Sequence, residues 1–313
     1  MSQTSLQSIS PLQQRLRKVG ALIGGTPLYP IENLDIKKGV KIFAKLEWHQ
    51  LGGSVKARPA YAIIREAVNS GILDGSKQLL DATSGNTGIA YAAVAASIGL
   101  KITICLPENA SEERKRILRS LGAEIIYTSR FEGTDGAQQK AKQLAQKYPE
   151  RFFYADQYAN DANWKAHFYT TAKEIWEQTR GGVTHFVAGL GTTGTFTGTG
   201  RGLKSLNPQI RLVSLQPNNP MHGLEGWKHL ETARIPKIFD PFLADEHIEV
   251  DTLEAYHYLK ILAEKEGLLV SPSAAANLAG AMKVAREIEQ GIIVTTFADS
   301  ADKYEEVLKM IFS

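Results

Sequence analysis

Residues 183–200, VTHFVAGLGTTGTFTGTG, constrain the chain more than any other stretch. Residues 183–188 are an apolar run interrupted by Thr184 and His185, of the length expected of a buried parallel strand. The run breaks into Gly189-Leu190-Gly191-Thr192-Thr193-Gly194-Thr195 and continues through small residues toward Arg201 and Lys204. A strand, a Gly/Thr turn and a helix start together aim backbone N–H groups and a helix dipole at one point, which suits a phosphate. Glycines let the backbone come close to an anion, and threonine hydroxyls add donors. The same pattern also suits an ordinary tight strand-to-helix turn. There is no G-K-[ST] ending, so a nucleotide P-loop is excluded.

The rest of the chain repeats the strand–loop–helix theme. Strands are expected at 40–46, around Leu79 and Leu80, and at 101–106, 124–128, 210–215 and 291–297. Helices are expected through Ile63, Ile64 and Ala67, and at 89–98, 111–121, 135–148, 170–178, 251–266 and 302–311, with a short amphipathic segment around Leu12, Leu16 and Val19. Such alternation implies α/β architecture, with mainly parallel sheets covered by helices on both faces. The 313 residues, 43% of them hydrophobic, are enough for two lobes. Net charge is +3 with no dense basic block, so Arg114-Lys115-Arg116 reads as a solvated helix face, and no nucleic-acid partner is expected. The single cysteine, Cys105, excludes an intramolecular disulfide and a cysteine metal cluster, and no metal site is expected. Without an apolar run of about 18 residues, and with a polar N-terminus, the chain is expected to be cytoplasmic and free of the membrane.

Two further loops carry chemistry. Gly52-Gly53-Ser54-Val55-Lys56 follows the strand at 40–46 and opens a helix, which puts Lys56 at the carboxyl edge of a parallel sheet. Most lysines are surface groups, but one in an apolar, glycine-rich setting can have a lowered pKa and act as a nucleophile. Thr83-Ser84-Gly85-Asn86-Thr87-Gly88 lies between a strand and an alanine-rich helix. Hydroxyls at a helix start are ordinary caps. Six consecutive small polar residues exceed what a cap needs and can hold a carboxylate.

The motifs G-S-V-K at 53–56, T-S-G-N-T-G at 83–88, G-T-T-G-T at 191–195 and S-P-S-A-A at 271–275 occur together and in this order. In this the sequence resembles the fold-type II pyridoxal-phosphate (PLP) enzymes, specifically the cysteine synthase and cystathionine β-synthase group. It looks most like the cysteine synthase B branch. I-G-G-T-P-L at 23–28 and A-K-L-E at 44–47 add lesser echoes, and the likeness runs over roughly residues 20–305.

The resemblance implies two lobes, a smaller one over 45–158 and a larger one over 1–44 plus 159–313. It implies that Lys56 carries PLP and acts as the catalytic base. Asn86 is implied at the cofactor's 3′-oxygen, Gly191, Thr192, Thr193, Gly194 and Thr195 at its phosphate, and Ser273 at the pyridine nitrogen. Thr83, Ser84, Thr87 and Gln157 match the groups that receive a substrate α-carboxylate, and Tyr158 matches an aromatic lining the pocket. Gly223 belongs to the glycine-paired loop 222–226, expected to gate substrate entry. A serine facing the ring nitrogen does not protonate it as a carboxylic acid would, so the ring is a weaker electron sink and β-elimination is favoured over transamination.

The expected reaction is thus β-replacement, giving L-cysteine from an O-activated L-serine and a sulfide donor, in a homodimer. A lyase that degrades cysteine or serine, or a cystathionine-forming condensation, would use the same residues. A nicotinamide oxidoreductase fits poorly, because the glycine loop lies mid-chain and no acidic residue follows at the required distance. The sequence departs from the group at Gln50-Leu51-Gly52, Ala57, Ser271-Pro272 and Ala274. Members of the branch that use O-phosphoserine carry an arginine after the strand at 210–216. Gln216-Pro217-Asn218-Asn219 has none, which favours O-acetylserine.

Overall fold

The computed structural model describes residues 9–83 and 85–313. Six strands form the larger sheet in the order β1-β2-β10-β7-β8-β9. These are β1 (Leu28–Ile31), β2 (Val40–Leu46), β7 (His185–Gly189), β8 (Arg211–Pro217), β9 (Glu246–Val250) and β10 (Gly291–Phe297). Only the β1–β2 pair is antiparallel. The smaller sheet, β5-β4-β3-β6, is wholly parallel. Its strands are β3 (Gln78–Ala82), β4 (Ile102–Pro107), β5 (Glu124–Thr128) and β6 (Phe152–Tyr154).

Parallel strands covered on both faces read as continuous apolar runs, and β4, with Cys105 inside it, is buried at every position. Alternate residues then serve opposite layers. In β7, Val187 packs with α9 (Thr252–Ile261) and α10 (Pro272–Glu287), while Phe186 and Ala188 pack with α7 (Thr171–Gln178) and α8 (Gly194–Leu206). In β3, Leu79 faces α2 (Ala57–Asn69) and α3 (Asn86–Ile98), and Leu80 and Ala82 face α5 (Gly133–Lys147). The helix α4 (Glu112–Ser120) adds Leu118 to the former layer, and α11 (Glu305–Phe312) adds Ile311 to the layer under α9 and α10.

Helix boundaries follow local chemistry. Ser111, Asp251 and Ser271 cap α4, α9 and α10 through their side-chain oxygens, and Gly99 ends α3 in the left-handed conformation at φ 79°. The expected helix over 251–266 is α9 continued by a single π-helical turn, Leu262–Glu266.

Two segments pack differently from the expected lobe division. The helices α1 (Pro11–Gly20) and α6 (Asp161–Tyr169) contribute Leu16, Val19, Ala162 and Ala166 to the smaller sheet's core, although both segments were expected with the larger lobe. The apolar stripe of α1 needs a cover, and α3 and α2 supply it, with Tyr61 of α2 pressed so closely on Gly20 that a Cβ there would lie 2.2 Å from its hydroxyl. No helix among the described residues is long and apolar enough to cross a membrane.

In the larger sheet β10 lies between β2 and β7. The segments that leave these three strands at their carboxyl ends therefore emerge side by side, at the edge where parallel sheets bind ligands.

Candidate active site

One cleft at that edge is lined by Lys56, Thr83, Asn86, Thr87, Gln157, Tyr158, Gly191, Thr192, Thr193, Thr195 and Ser273. Residues expected from four separate motifs are thus brought together. Gly194 lies just behind the lining as the first residue of α8. Ser84 lies outside the described residues. Gly223 does not join the lining: its N–H donates to Thr252 Oγ1 at 3.1 Å, and Glu225 and Gly226 of the same loop face the cleft instead.

Lys56 immediately precedes α2, after a turn in which Gly52 and Gly53 have φ of 86° and 60°. Val55 N donates to Ala298 O at 2.8 Å, which fastens the lysine loop to the end of β10. The Lys56 side chain keeps partial access to the cleft. Its close protein surroundings nevertheless push the amine below the ordinary lysine range, because burial outweighs the opposing charges of Asp299 and Glu47. A neutral amine is a nucleophile and a base, and an ammonium is neither.

The loop after β7 has the features of an anion cradle. Thr193 takes a left-handed φ of 70°, which is costly for a threonine, and its side chain does not cap α8. Its Oγ1 is buried and has no partner among the described residues. The first N–H groups of α8 have no intrahelical acceptor. A Cβ on Gly191 would lie 2.1 Å from Gly226 O, and one on Gly194 would lie 2.0 Å from Asn163 Oδ1. Both positions therefore require glycine. Asn163 Nδ2 donates to Thr192 Oγ1 at 3.1 Å, and Thr195 Oγ1 lies 3.3 Å from His167 Nε2. Burial pushes His167 down to about 3, so the ring beside the cradle is neutral. Unpartnered donors, a helix N-terminus and an absence of carboxylates in the turn fit a phosphate.

Ser273 is the second residue of α10 and lies 3.2 Å, oxygen to oxygen, from Ser271, whose side chain caps the helix. Asn277, one turn further on, accepts Gly189 N–H at 2.8 Å and donates to Thr296 O at 2.7 Å, locking α10 to β7 and β10. Opposite, Thr87 Oγ1 donates to Gln157 Oε1 at 2.8 Å, and Gln157 Nε2 donates to Ala82 O at 2.8 Å. Thr83 Oγ1 accepts Gly85 N–H at 3.1 Å. This side of the cleft is rich in hydroxyl and amide donors, as an incoming carboxylate requires.

Among the charged residues around the cleft, Arg114, Glu225 and Asp299 were missed by sequence reasoning as site residues, whereas Lys228 was a candidate cation for a substrate phosphate. Arg114 of α4 pairs with Glu225 across the opening, with its guanidinium 5.1 Å above the Tyr304 ring. Lys228 lies 3.5 Å from Asp135 of α5, and Asp299 sits at the end of β10. Only the position of Asp299, two residues past a central parallel strand, offered a signal. Beneath the lysine loop, Arg58 is buried and bridges Glu47, at 2.7 and 2.9 Å, to Glu174, at 2.7 and 2.8 Å. Lys45 Nζ joins this group through Glu174 at 2.8 Å.

The cleft thus sets a lysine beside a glycine–threonine turn suited to an anion, at the carboxyl edge of a parallel sheet, and the comparisons agree with that class. The family described as pyridoxal-phosphate dependent enzyme matches residues 19–299, and the chain belongs to it. Its cofactor is pyridoxal phosphate, and its architecture is the fold-type II one implied by the motifs.

Among individual proteins, the chain is 46% identical to the cysteine synthase of Aquifex aeolicus, over 94% of this chain and 92% of that one. It is 37% identical to cysteine synthase B of Pseudomonas aeruginosa, over 90% and 93%. The solved O-acetylserine dependent cystathionine beta-synthase from Helicobacter pylori superposes with a TM-score of 0.87 at 35% identity, covering 92% of this chain and 96% of that one.

Proposed function

We propose that the protein makes L-cysteine by β-replacement, joining a sulfide donor to an L-serine activated at its side-chain oxygen, with O-acetylserine favoured over O-phosphoserine. The observation that carries this reading is the meeting of Lys56, the glycine–threonine cradle and a donor-rich carboxylate side in one cleft. The names of the relatives support it, since cysteine synthases are among them.

Pyridoxal phosphate, when bound, supplies the electron sink that makes an amino acid's α-proton removable. Lys56 would hold the cofactor, and its neutral amine would accept that α-proton at Nζ. Gly191, Thr192, Thr193, Gly194 and Thr195 hold the phosphate, and Asn86 holds the 3′-oxygen. Ser273 would offer the ring nitrogen a hydroxyl rather than an acid, and so would not protonate it, a setting that suits loss of a β-substituent. Thr83, Ser84, Thr87 and Gln157 receive the α-carboxylate beside Tyr158. Gly223 serves as the foot of the loop whose Glu225 and Gly226 border the entrance.

The smaller lobe, 45–158 in the division proposed from the motifs, closes over substrate and keeps water from the reacting β-carbon. Family resemblance also supports a cytoplasmic homodimer, which light scattering on the purified protein tests. Cysteine formation is to be measured with O-acetylserine, O-phosphoserine and serine at equal concentration, each with sulfide. O-Acetylserine should give the fastest cysteine formation. If no donor yields cysteine while cysteine itself is broken down to sulfide, the enzyme is a lyase.

A further inference from the structure

Lys56, Asn86 and Ser273 sit at the starts of three different helices, yet all three are tied to one short segment, residues 298–304, that follows β10. Its carbonyls accept Val55 N–H at Ala298, 2.8 Å, and Ser271 N–H at Asp299, 3.2 Å. Val55 precedes Lys56, and Ser271 caps the helix that carries Ser273. Side chains of the same segment grip Asn86 at both ends. Asn86 Nδ2 donates to Asp299 Oδ2 at 2.8 Å, and Asn86 Oδ1 accepts from Lys303 Nζ at 2.9 Å. Lys303 also donates to Gly53 O at 3.1 Å, in the lysine loop, and lies 3.6 Å from Asp299. The Tyr304 hydroxyl donates to Asp299 Oδ2 at 2.9 Å. Asp299 is fully buried and Lys303 nearly so.

We infer that Asp299 and Lys303 are positioning residues that set which end of the Asn86 amide meets the cofactor, and so favour the ionised form of the cofactor's 3′-oxygen. An ammonium has only hydrogens to offer, so it is met by the amide oxygen; an ionised carboxylate only accepts, so it is met by the amide nitrogen. A flipped amide would set donor against donor and acceptor against acceptor in a buried place, where unmade hydrogen bonds are costly. The nitrogen end, held on the carboxylate by one hydrogen, keeps its second hydrogen to donate to a ligand. A hydrogen bond donated to an ionisable oxygen favours its charged form. The inference rests on the proposed meeting of Asn86 with that oxygen, and it adds the two residues that dictate the sense of the meeting.

The test uses purified holoenzyme and three readouts: the PLP dissociation constant by equilibrium dialysis, the absorbance spectrum of bound PLP against pH, and the melting temperature of the apoprotein. Lys303→Met should weaken PLP binding by about tenfold, the worth of one charged hydrogen bond. It should also move absorbance from the visible to the near-ultraviolet band, with a changed pH profile. Lys303→Arg, which keeps a donor and a charge, should recover most of both. Asp299→Asn keeps the shape, lets the amide turn, and should give the same spectral change even if Lys303→Met folds poorly.

Asn86→Ala is the reference variant. If it alters spectrum and affinity while Lys303→Met and Asp299→Asn leave both as in the unaltered enzyme, the inference is overturned. If Asn86→Ala changes neither, the placement of Asn86 at the cofactor fails and takes the inference with it.

Discussion

At the scale of single residues, the site depends on a few side chains whose surroundings change their chemistry. Lys56 is useful because burial lowers its pKa, so the neutral amine is reached closer to physiological pH than in an ordinary lysine. Lys56→Ala should abolish covalent attachment of PLP and cysteine formation together. Borohydride reduction followed by peptide mapping checks this, and a label on any other lysine would count against it. Gly191 and Gly194 matter for the opposite reason, the absence of a side chain. Replacing Gly191 with leucine sets a Cβ 2.1 Å from Gly226 O, so PLP retention should fall more than thermal stability does. Normal PLP affinity in that variant would place the phosphate elsewhere. Ser273→Asp is a chemical change in a retained position. An acid there should protonate the ring and slow net turnover, seen as a lower kcat with O-acetylserine and sulfide.

At the scale of elements, the start of α2 is held by the buried group of Glu47, Arg58, Glu174 and Lys45. Burial alone pushes Glu174 upward, but hydrogen bonds and charge from Arg58, with Lys45, outweigh it and draw the carboxyl down to about 2. A folded pKa below the ordinary 4.5 contributes stability that is present above about pH 4.5 and lost as pH falls toward 2. Urea midpoints should therefore drop across that window, and Glu174→Gln should flatten part of the drop. Arg58→Met leaves buried carboxylates uncompensated and should cost about 3–5 kcal/mol. Much of this level was legible in the sequence, because apolar-rich runs such as those within 101–106 and 291–297 can be little else than buried strands. The short strand β6, the strand β9 and the helix α6 were not read, since β6 has three residues and the burial of β9 alternates. The loops at 53–56, 83–88 and 191–195 announced themselves through composition. Asp299, Lys303 and Arg114 did not, because a charge in a helix or after a strand looks solvated until the fold buries it.

At the scale of the whole molecule, two sheets place their loops around one cleft, and charged contacts such as Arg114 with Glu225 and Lys228 with Asp135 span its opening. Closure of the smaller lobe on substrate should appear as a reduced radius of gyration in small-angle scattering and lower protease sensitivity with a tight amino-acid ligand. Unchanged scattering and digestion would argue against closure. The central claim, that this cleft eliminates a β-substituent from a serine derivative and adds sulfur in its place, is tested most directly by the visible absorbance of the bound cofactor during a sequential titration. O-Acetylserine alone should replace the resting band with one at longer wavelength, and sulfide should then restore the resting band with one cysteine released per site. A resting band that ignores O-acetylserine, or one that shifts and recovers on sulfide addition without cysteine appearing, would contradict the account.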